Sequence, residues 1–161
     1  MPTVQSDGCA IHYQVEGPSD APVLMLSNSV GTNLHMWDDQ VPAFTKHFRL
    51  VRYDHRGHGK SGVPQGAYTM DQLGRDALTV ADAAGAKNFN WCGLSMGGMV
   101  GQWLGANAPE RLVRLVITNT HGYYEDKAPW NDRIKFVNEK GLSALADTMM
   151  ERWFTPGFRE R

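Results

Sequence analysis

Residues 92–98 of the chain read CGLSMGG and hold a serine in the pattern Gly-x-Ser-x-Gly. The apolar run FNWCGL (89–94) comes before this serine, and a segment rich in small residues, 96–109, comes after it. Glycines at these positions permit a sharp strand-to-helix turn that lifts the hydroxyl above the sheet, where the helix N-terminus favours developing negative charge. The pattern predicts that Ser95 is a nucleophile for acyl transfer. The alternative interpretation is a glycine-rich turn with an incidental serine.

A second loop has a composition suited to the same chemistry. The stretch LSNSVGTN (26–33) follows the apolar run VLMLS (23–27). Acyl transfer needs two N–H donors that converge on the oxyanion, and a loop at this strand end can supply one of them. Taken alone, the stretch is equally typical of an ordinary strand exit. Its pairing with the serine motif favours the oxyanion role.

A third stretch, DHRGHGKSG (54–62), shares its GKS ending with phosphate-binding loops. The position of the first glycine in such a loop is occupied by Asp54, however, and Pro64 follows too soon for the lysine and serine to open a helix. We therefore interpret the stretch as a structural turn in which Asp54 and Arg56 tie loops together.

His121 is the only histidine that follows Ser95 in the chain, and Glu125 and Asp126 lie close to it in the sequence. It comes just after the apolar run 112–118, so it is the only candidate base within the chain if the nucleophile precedes the base. We favour a solvated loop histidine over this role. The remaining histidines lack a metal-ligand spacing such as H-E-x-x-H, so we expect neither a metal nor a cofactor. These are His12, His35, His47, His55 and His58.

The hydrophobic pattern predicts several strands. Four short apolar runs lack polar alternation, as do strands that are buried on both faces of a parallel sheet. They are residues 23–27, 48–53, 89–94 and 112–118. Residues 11–16 instead alternate between apolar and polar side chains, which predicts a half-exposed strand.

Two helices are predicted between these strands. Residues 69–85 begin with Thr69 and Gln72 in the spacing of a capping box and end at Gly85, a suitable C′ residue. Residues 96–109 form the second. Strands that alternate with helices indicate an α/β fold, doubly wound around a mostly parallel sheet.

The alternation stops after the last predicted strand. Residues 121–130 are polar and aromatic, and residues 131–141 and 142–154 are typical of two helices with no strand between them. We therefore expect residues 1–120 to form the α/β core and residues 121–161 to begin a helical lid.

Bulk composition excludes several classes of function. The 161 residues carry a formal net charge of −1, which supplies no basic field for nucleic acid or anionic lipid. The chain has no apolar stretch of the roughly 20 residues that a membrane span requires, and its start lacks a signal-peptide pattern. The two cysteines are far apart, which argues against a disulfide framework. We therefore expect a cytoplasmic protein that binds neither membrane nor nucleic acid.

Four stretches resemble the α/β-hydrolase superfamily and, within it, the 3-oxoadipate enol-lactonases. They are LSNSVGTNLHMWDDQ, RYDHRGHGKSGVPQGAYTMDQLGRD, CGLSMGGMVGQWLGANAPERL and ERWFTPGFRER. The similarity runs from about residue 8 to the end; the serine motif and DxRGxG are general to the superfamily, whereas the LSNS loop and RWFTP are more specific. The resemblance implies hydrolysis of a small carboxylated enol-lactone in the β-ketoadipate route of aromatic catabolism.

The resemblance also implies roles for individual residues. Ser95 would be the nucleophile, and the backbone N–H groups of Met96 and Val30 would form the oxyanion hole. Many relatives have a His-Gly pair before the second donor, where this chain has Asn28-Ser29.

A carboxylated substrate favours a cation in the lid. We expect Arg133 in this role, with Arg152 as the alternative. Trp130 and Trp153 are the candidates for the walls of the substrate site, although ordinary lid packing accounts for these residues equally well.

The acid and the histidine of the triad follow the lid in the family's chain order. We therefore expect both beyond residue 161 and little activity from residues 1–161 alone. In order of preference, the explanations are a truncated chain, a split protein completed by a second chain, and a stand-alone variant that recruits His121. Two other functions compete: a different small hydrolase, such as a carboxylesterase or C–C hydrolase, and a non-catalytic ligand-binding domain.

Overall fold

A computed structural model describes residues 2–160 of the chain. The strands are β1 (Thr3–Ser6), β2 (Cys9–Glu16), β3 (Val23–Ser27), β4 (Arg49–Tyr53), β5 (Phe89–Leu94) and β6 (Leu112–Thr118). The α-helices are α1 (Val41–Phe44), α2 (Met70–Ala83), α3 (Met96–Asn107), α4 (Ala128–Lys140), α5 (Ala146–Trp153) and α6 (Pro156–Arg159). Short 3₁₀ helices span Leu34–Gln40, Pro109–Arg111 and Leu142–Leu145.

The six strands form one sheet in the order β1-β2-β4-β3-β5-β6. Strands β3 to β6 are parallel to one another, and β2 pairs antiparallel with both β1 and β4. The predicted α/β fold with a mostly parallel sheet is therefore confirmed. The carboxyl ends of β3, β4, β5 and β6 meet at one edge of the sheet, where α/β proteins place their functional groups.

Helix α2 begins where its capping residues predict. The Thr69 hydroxyl accepts a hydrogen bond from the Gln72 N–H at 3.1 Å, and the Gln72 side chain accepts one from the Thr69 N–H at 3.0 Å. Gly85 follows the helix with φ +71°, and the Ala86 N–H reaches back to the Ala81 carbonyl at 2.8 Å. These contacts satisfy the terminal N–H and C=O groups that a helix leaves unpaired, and they confirm both predicted ends.

Apolar side chains cover the sheet on both faces. One cluster includes Val51, Trp91 and Leu104 and packs α2 and α3 against the strands. A smaller cluster of Leu24, Leu26 and Leu50 lies with Trp37, Val41, Phe44 and Phe48. This second layer explains why β3 is apolar on both faces.

Two strands differ from their predicted burial. Strand β6 forms an outer edge, and Val113, Leu115, Val116 and Ile117 are 39–60% exposed. The expectation of burial on both faces was wrong here, because no strand among residues 2–160 pairs with its outer side. In β2, His12 was expected on a polar face, yet it is buried. Its backbone N–H donates to the Ser61 hydroxyl at 2.9 Å.

The chain divides into two compact units, Met1–Gly122 and Tyr123–Arg161. The second unit contains α4, α5 and α6 with the 3₁₀ turn Leu142–Leu145, so both predicted helices are present and α6 is additional. Within residues 2–160, no helix combines the length and apolar character needed for a membrane span. The same residues contain no cluster of three or more histidine, cysteine or acidic side chains suited to a metal ion.

Candidate active site

Ser95 lies between the last residue of β5 and the first residue of α3, in a conformation that L-residues rarely adopt. Its φ is +54° and its ψ is −112°. Its N–H donates to the Thr118 carbonyl at 2.9 Å, and its carbonyl accepts from the Thr120 hydroxyl at 2.8 Å. These two bonds hold the backbone in a strained state that costs on the order of 1–3 kcal/mol. The serine motif therefore forms the sharp turn that the sequence predicted.

The glycines beside Ser95 are required by close backbone approach. A Cβ on Gly93 would lie 2.1 Å from the Gly97 carbonyl oxygen. A Cβ on Gly97 would lie 2.2 Å from the Ser27 carbonyl oxygen, at the end of β3. Helix α3 thus lies too close to β5 and β3 for any side chain at either position.

The two expected oxyanion donors lie on segments joined by a hydrogen bond. Met96 is the first residue of α3, so its N–H has no acceptor within the helix. Val30 lies in the loop after β3, and this loop is tied to α3 by the Gly97 N–H, which donates to the Asn28 carbonyl at 3.0 Å. Neither the Val30 nor the Met96 N–H takes part in the hydrogen bonds found among residues 2–160. Within the described residues both N–H groups are thus without an acceptor, and their oxyanion role stays a prediction.

Asn28 is a fully buried residue that connects four segments at this edge of the sheet. Its side-chain amide donates to the Tyr53 carbonyl at 2.8 Å and its side-chain oxygen accepts from the Trp37 indole at 2.9 Å. Its backbone carbonyl accepts from Gly97 and from the His55 ring at 3.3 Å. The sequence marked Asn28 only as a departure from the His-Gly pair, and its connecting role was not foreseen.

His55 belongs to a buried hydrogen-bonded group with Ser27 and Tyr53. Its Nε2 lies 3.3 Å from the Asn28 carbonyl and 3.2 Å from the Ser27 hydroxyl, which is 3.0 Å from the Tyr53 hydroxyl. Because a carbonyl only accepts, Nε2 carries the proton, and Nδ1 has no partner within residues 2–160. Burial, aided by the nearby His58, lowers the pKa of His55 to about 3. Burial likewise raises the pKa of the Tyr53 hydroxyl.

The DHRGHGKSG stretch is the structural turn that we expected. The Asp54 carboxylate accepts from the Leu34 N–H at 2.8 Å and from the Lys60 N–H at 2.9 Å. The Arg56 guanidinium donates two hydrogen bonds of 2.7 Å to the buried carboxylate of Asp76 in α2. No helix begins at Lys60 or Ser61, and α2 begins only at Met70, which is incompatible with a phosphate-binding loop.

The three expected lid residues lie in the second unit. The Arg133 guanidinium lies 4.7 Å from the centre of the Trp130 ring, and both residues are on α4. Trp153 is the last residue of α5 and is 43% exposed. The structure thus brings Arg133 and Trp130 together as a cation–π pair. Their roles toward a substrate stay predictions.

His121 lies in the exposed segment that follows β6. It comes directly after Thr120, whose hydroxyl binds the Ser95 carbonyl. The hydrogen bonds found for Ser95 within residues 2–160 are backbone bonds, so its hydroxyl has no assigned base there.

The chain is similar to several known proteins. The family model for the α/β hydrolase fold matches residues 22–150. The 3-oxoadipate enol-lactonase 2 of Acinetobacter baylyi is 41% identical over 158 residues, which are 98% of this chain and 59% of that protein. The solved enol-lactonase from Burkholderia xenovorans LB400 superposes with a TM-score of 0.93 at 41% identity, covering 99% of this chain and 62% of that one.

A further relative carries a different name. A Caulobacter segnis protein, named as a proposed carbamate hydrolase, RutD, is 33% identical over 150 residues, which are 89% of this chain and 55% of that protein. The chain therefore spans about three fifths of the length of the relatives it matches. Because the family model matches most of the sequence, this chain belongs to the α/β-hydrolase fold family.

Proposed function

We propose that the protein hydrolyses a small carboxylated enol-lactone, the enol-lactone of 3-oxoadipate, with Ser95 as the nucleophile. The observation that carries this proposal is the strained backbone of Ser95 at the junction of β5 and α3. Such strain persists only where surrounding contacts enforce it, and it is typical of functional positions. The similarity to enol-lactonases supports the choice of substrate.

The chemistry that we propose is acyl transfer in two stages. The Ser95 hydroxyl oxygen attacks the lactone carbonyl while a base takes its proton, and the N–H groups of Met96 and Val30 bind the resulting oxyanion. Collapse of this intermediate breaks the ring C–O bond, and the enol oxygen leaves with a proton and tautomerises to the ketone. Water, activated by the same base, then attacks the acyl-enzyme and releases 3-oxoadipate with free Ser95.

We propose that the base is a histidine, oriented by an acid, in sequence that follows residue 161 in a longer form of the protein. The relatives exceed the chain in length, and the apolar side chains of β6 are exposed at the sheet edge. We accordingly expect little turnover from residues 1–161 alone. Strong turnover of this chain that disappears in His121→Ala would place the base at His121 instead.

For substrate binding, we propose that Arg133 pairs with the substrate carboxylate and that Trp130 and Trp153 supply apolar contacts. The cation–π contact holds the Arg133 guanidinium beside Trp130 and limits its conformations. We place the protein in the cytoplasm, a setting consistent with its two free cysteines, Cys9 and Cys92.

The test of this function is the loss of hydrolysis in Ser95→Ala, measured in the longer form of the protein that we propose. We expect at least about a thousandfold loss of kcat, because removal of a nucleophile leaves only binding and oxyanion stabilisation. Ser19→Ala changes an exposed serine and is the matched control. An unchanged rate in Ser95→Ala would exclude Ser95 as the nucleophile.

The competing functions are separated by substrate and by labelling. A panel of the enol-lactone, an uncarboxylated lactone and simple carboxylesters distinguishes a lactonase from a general esterase. A fluorophosphonate probe labels Ser95 only when the serine is activated. Ligand binding without labelling in the longer form of the protein would favour a non-catalytic domain.

A further inference from the structure

The loop that carries Val30 is a tight turn, Ser29–Thr32, with fixed peptide orientations. The Thr32 N–H donates to the Ser29 carbonyl at 3.3 Å, and the Thr32 hydroxyl donates to the same oxygen at 2.8 Å. Gly31 has φ +76°. A positive φ at the third residue of a four-residue turn, without one at the second, is the pattern of a type II turn.

Thr32 fixes the peptide unit that contains the Val30 N–H. The C=O and N–H of a trans peptide point in opposite directions. Because the Ser29 carbonyl points at Thr32, the Val30 N–H of the same unit points away from the interior of the turn. Its direction therefore depends on how firmly the turn keeps its conformation.

The next peptide unit, between Val30 and Gly31, is fixed by His58. The Gly31 N–H donates to Nε2 of His58 at 3.0 Å. Nδ1 of the same ring lies 3.0 Å from the Arg56 carbonyl, which only accepts. Nδ1 therefore carries the proton and Nε2 is left with a free lone pair toward Gly31. Both ring nitrogens of this neutral tautomer are satisfied.

We infer that His58 is a positioning residue for the oxyanion hole: it holds the Val30–Gly31 peptide in the orientation of a type II turn through the Gly31 N–H. Without this acceptor, the peptide is free to flip toward the type I orientation, since such a flip changes only the torsions next to one peptide unit. The flip leaves the Ser29–Val30 peptide itself in place, but it removes one of the two restraints on the turn, and the Val30 N–H is then held in its direction through Thr32 alone. The inference rests on the proposed function for its catalytic consequence, but the hydrogen bond and the turn conformation are tested without turnover.

His58 is also held by contacts that lie outside the Ser29–Thr32 turn. Arg56, whose carbonyl orients the His58 ring, is locked to the buried carboxylate of Asp76. The His55 ring lies 6.1 Å from that of His58, edge to face. The DHRGHGKSG turn therefore acts as a rigid support from which one imidazole reaches the oxyanion loop.

The first experiment is NMR on the 161-residue chain labelled with ¹⁵N, at pH 8. We expect the His58 ring in the Nδ1–H tautomer and a coupling across the hydrogen bond between the Gly31 amide nitrogen and His58 Nε2. A protonated Nε2, or the absence of this coupling with both signals observed, would overturn the inference.

Two substitutions distinguish the role of His58 as a hydrogen-bond acceptor from its role in packing. The His58→Phe side chain retains a ring but cannot accept, whereas the His58→Gln side chain offers an amide oxygen. We expect faster amide exchange and shifted signals at Val30 and Gly31 in His58→Phe, a smaller change in His58→Gln, and unchanged signals at Val51 in the core. His47→Phe alters an exposed histidine and is the control. Unchanged Val30 and Gly31 amides in His58→Phe would refute the positioning role.

The kinetic measurement uses the longer, active form of the protein with the enol-lactone. We expect His58→Phe to lower kcat roughly three- to tenfold with KM changed less than about twofold, because a loosely held donor weakens the transition state more than the ground state. His58→Gln should recover part of kcat. Equal losses in the two variants would contradict the inference. A wild-type protein without hydrolase activity refutes the proposed function instead, and the NMR result then decides the role of His58.

Discussion

Protonation of His55 is expected to destabilise the folded protein, because the ring is fully buried and its pKa lies at about 3. An unfolded histidine titrates near 6.5. The neutral His55 ring therefore makes its full contribution to the free energy of unfolding above about pH 6.5, and this contribution is lost as the pH falls toward 3. From the two pKa values we expect a loss of roughly 1–2 kcal/mol between pH 8 and 5.5 and about 3 kcal/mol at pH 4.5.

The assay is urea unfolding between pH 8 and 5, a window in which carboxylates are still ionised. Replacing Trp130 and Trp153 by phenylalanine limits the fluorescence signal to the first unit, whose core contains Trp91. Below pH 6 the wild-type free energy of unfolding should approach a slope of about 1.4 kcal/mol per pH unit, the value for one proton taken up on unfolding.

The comparison is between His55→Gln, which cannot titrate, and His47→Gln, which changes an exposed histidine. The absolute stability of His55→Gln will differ because contacts are lost, so the slope is the quantity of interest. In His55→Gln we expect the slope to fall by about 1.4 kcal/mol per pH unit, the value for one proton. In His47→Gln we expect the wild-type slope. A His55→Gln protein with the wild-type slope would refute the assignment of a buried, neutral His55.

Two further predictions concern packing and charge. Gly74→Ala in α2 should lower the free energy of unfolding by roughly 1–3 kcal/mol, because the new Cβ would lie 2.0 Å from the Trp103 ring. Gly105→Ala in α3 meets only an ordinary contact and should raise the free energy of unfolding by about 0.5–1 kcal/mol. Equal effects of the two substitutions in urea unfolding would contradict this. Asp76→Asn should cost about 3–5 kcal/mol because it leaves the Arg56 charge buried without its partner, and a near-neutral result by the same measurement would show that the pair is not needed.

Local sequence patterns were sufficient for the central elements of the fold. The bounds of β3, β5 and β6 match the predicted runs, and the capping box placed the start of α2 correctly. Each of these signals depends on neighbouring residues alone. Strand β1 has only four residues, and it is defined by antiparallel pairing with β2, a contact that its own composition does not indicate.

The part of the candidate site that lies in one contiguous motif was also predictable from the sequence. Ser95 and its glycines form a contiguous motif, so their turn was foreseen. The contacts of Asn28 with Tyr53, and of Gly31 with His58, join residues more than 20 positions apart and follow no local pattern. Such contacts exist only because the parallel strands β3 and β4 end side by side. The support of the site therefore required the structure.

The position of β5 within the sheet explains how the strain at Ser95 is maintained. Strand β5 lies between β3 and β6, and all three are parallel. The last residue of β6, Thr118, and Thr120 just after it bind the two backbone groups of Ser95. Asn28, directly after β3, holds α3 through the Gly97 N–H. Hydrogen bonds from two sides therefore hold the turn, and the two strands that supply them, β3 and β6, do not pair with each other. A strained residue persists only where the surrounding contacts enforce its conformation. A Gly-x-Ser-x-Gly motif therefore indicates a strained serine when its strand lies between two parallel strands that end at the same edge of the sheet.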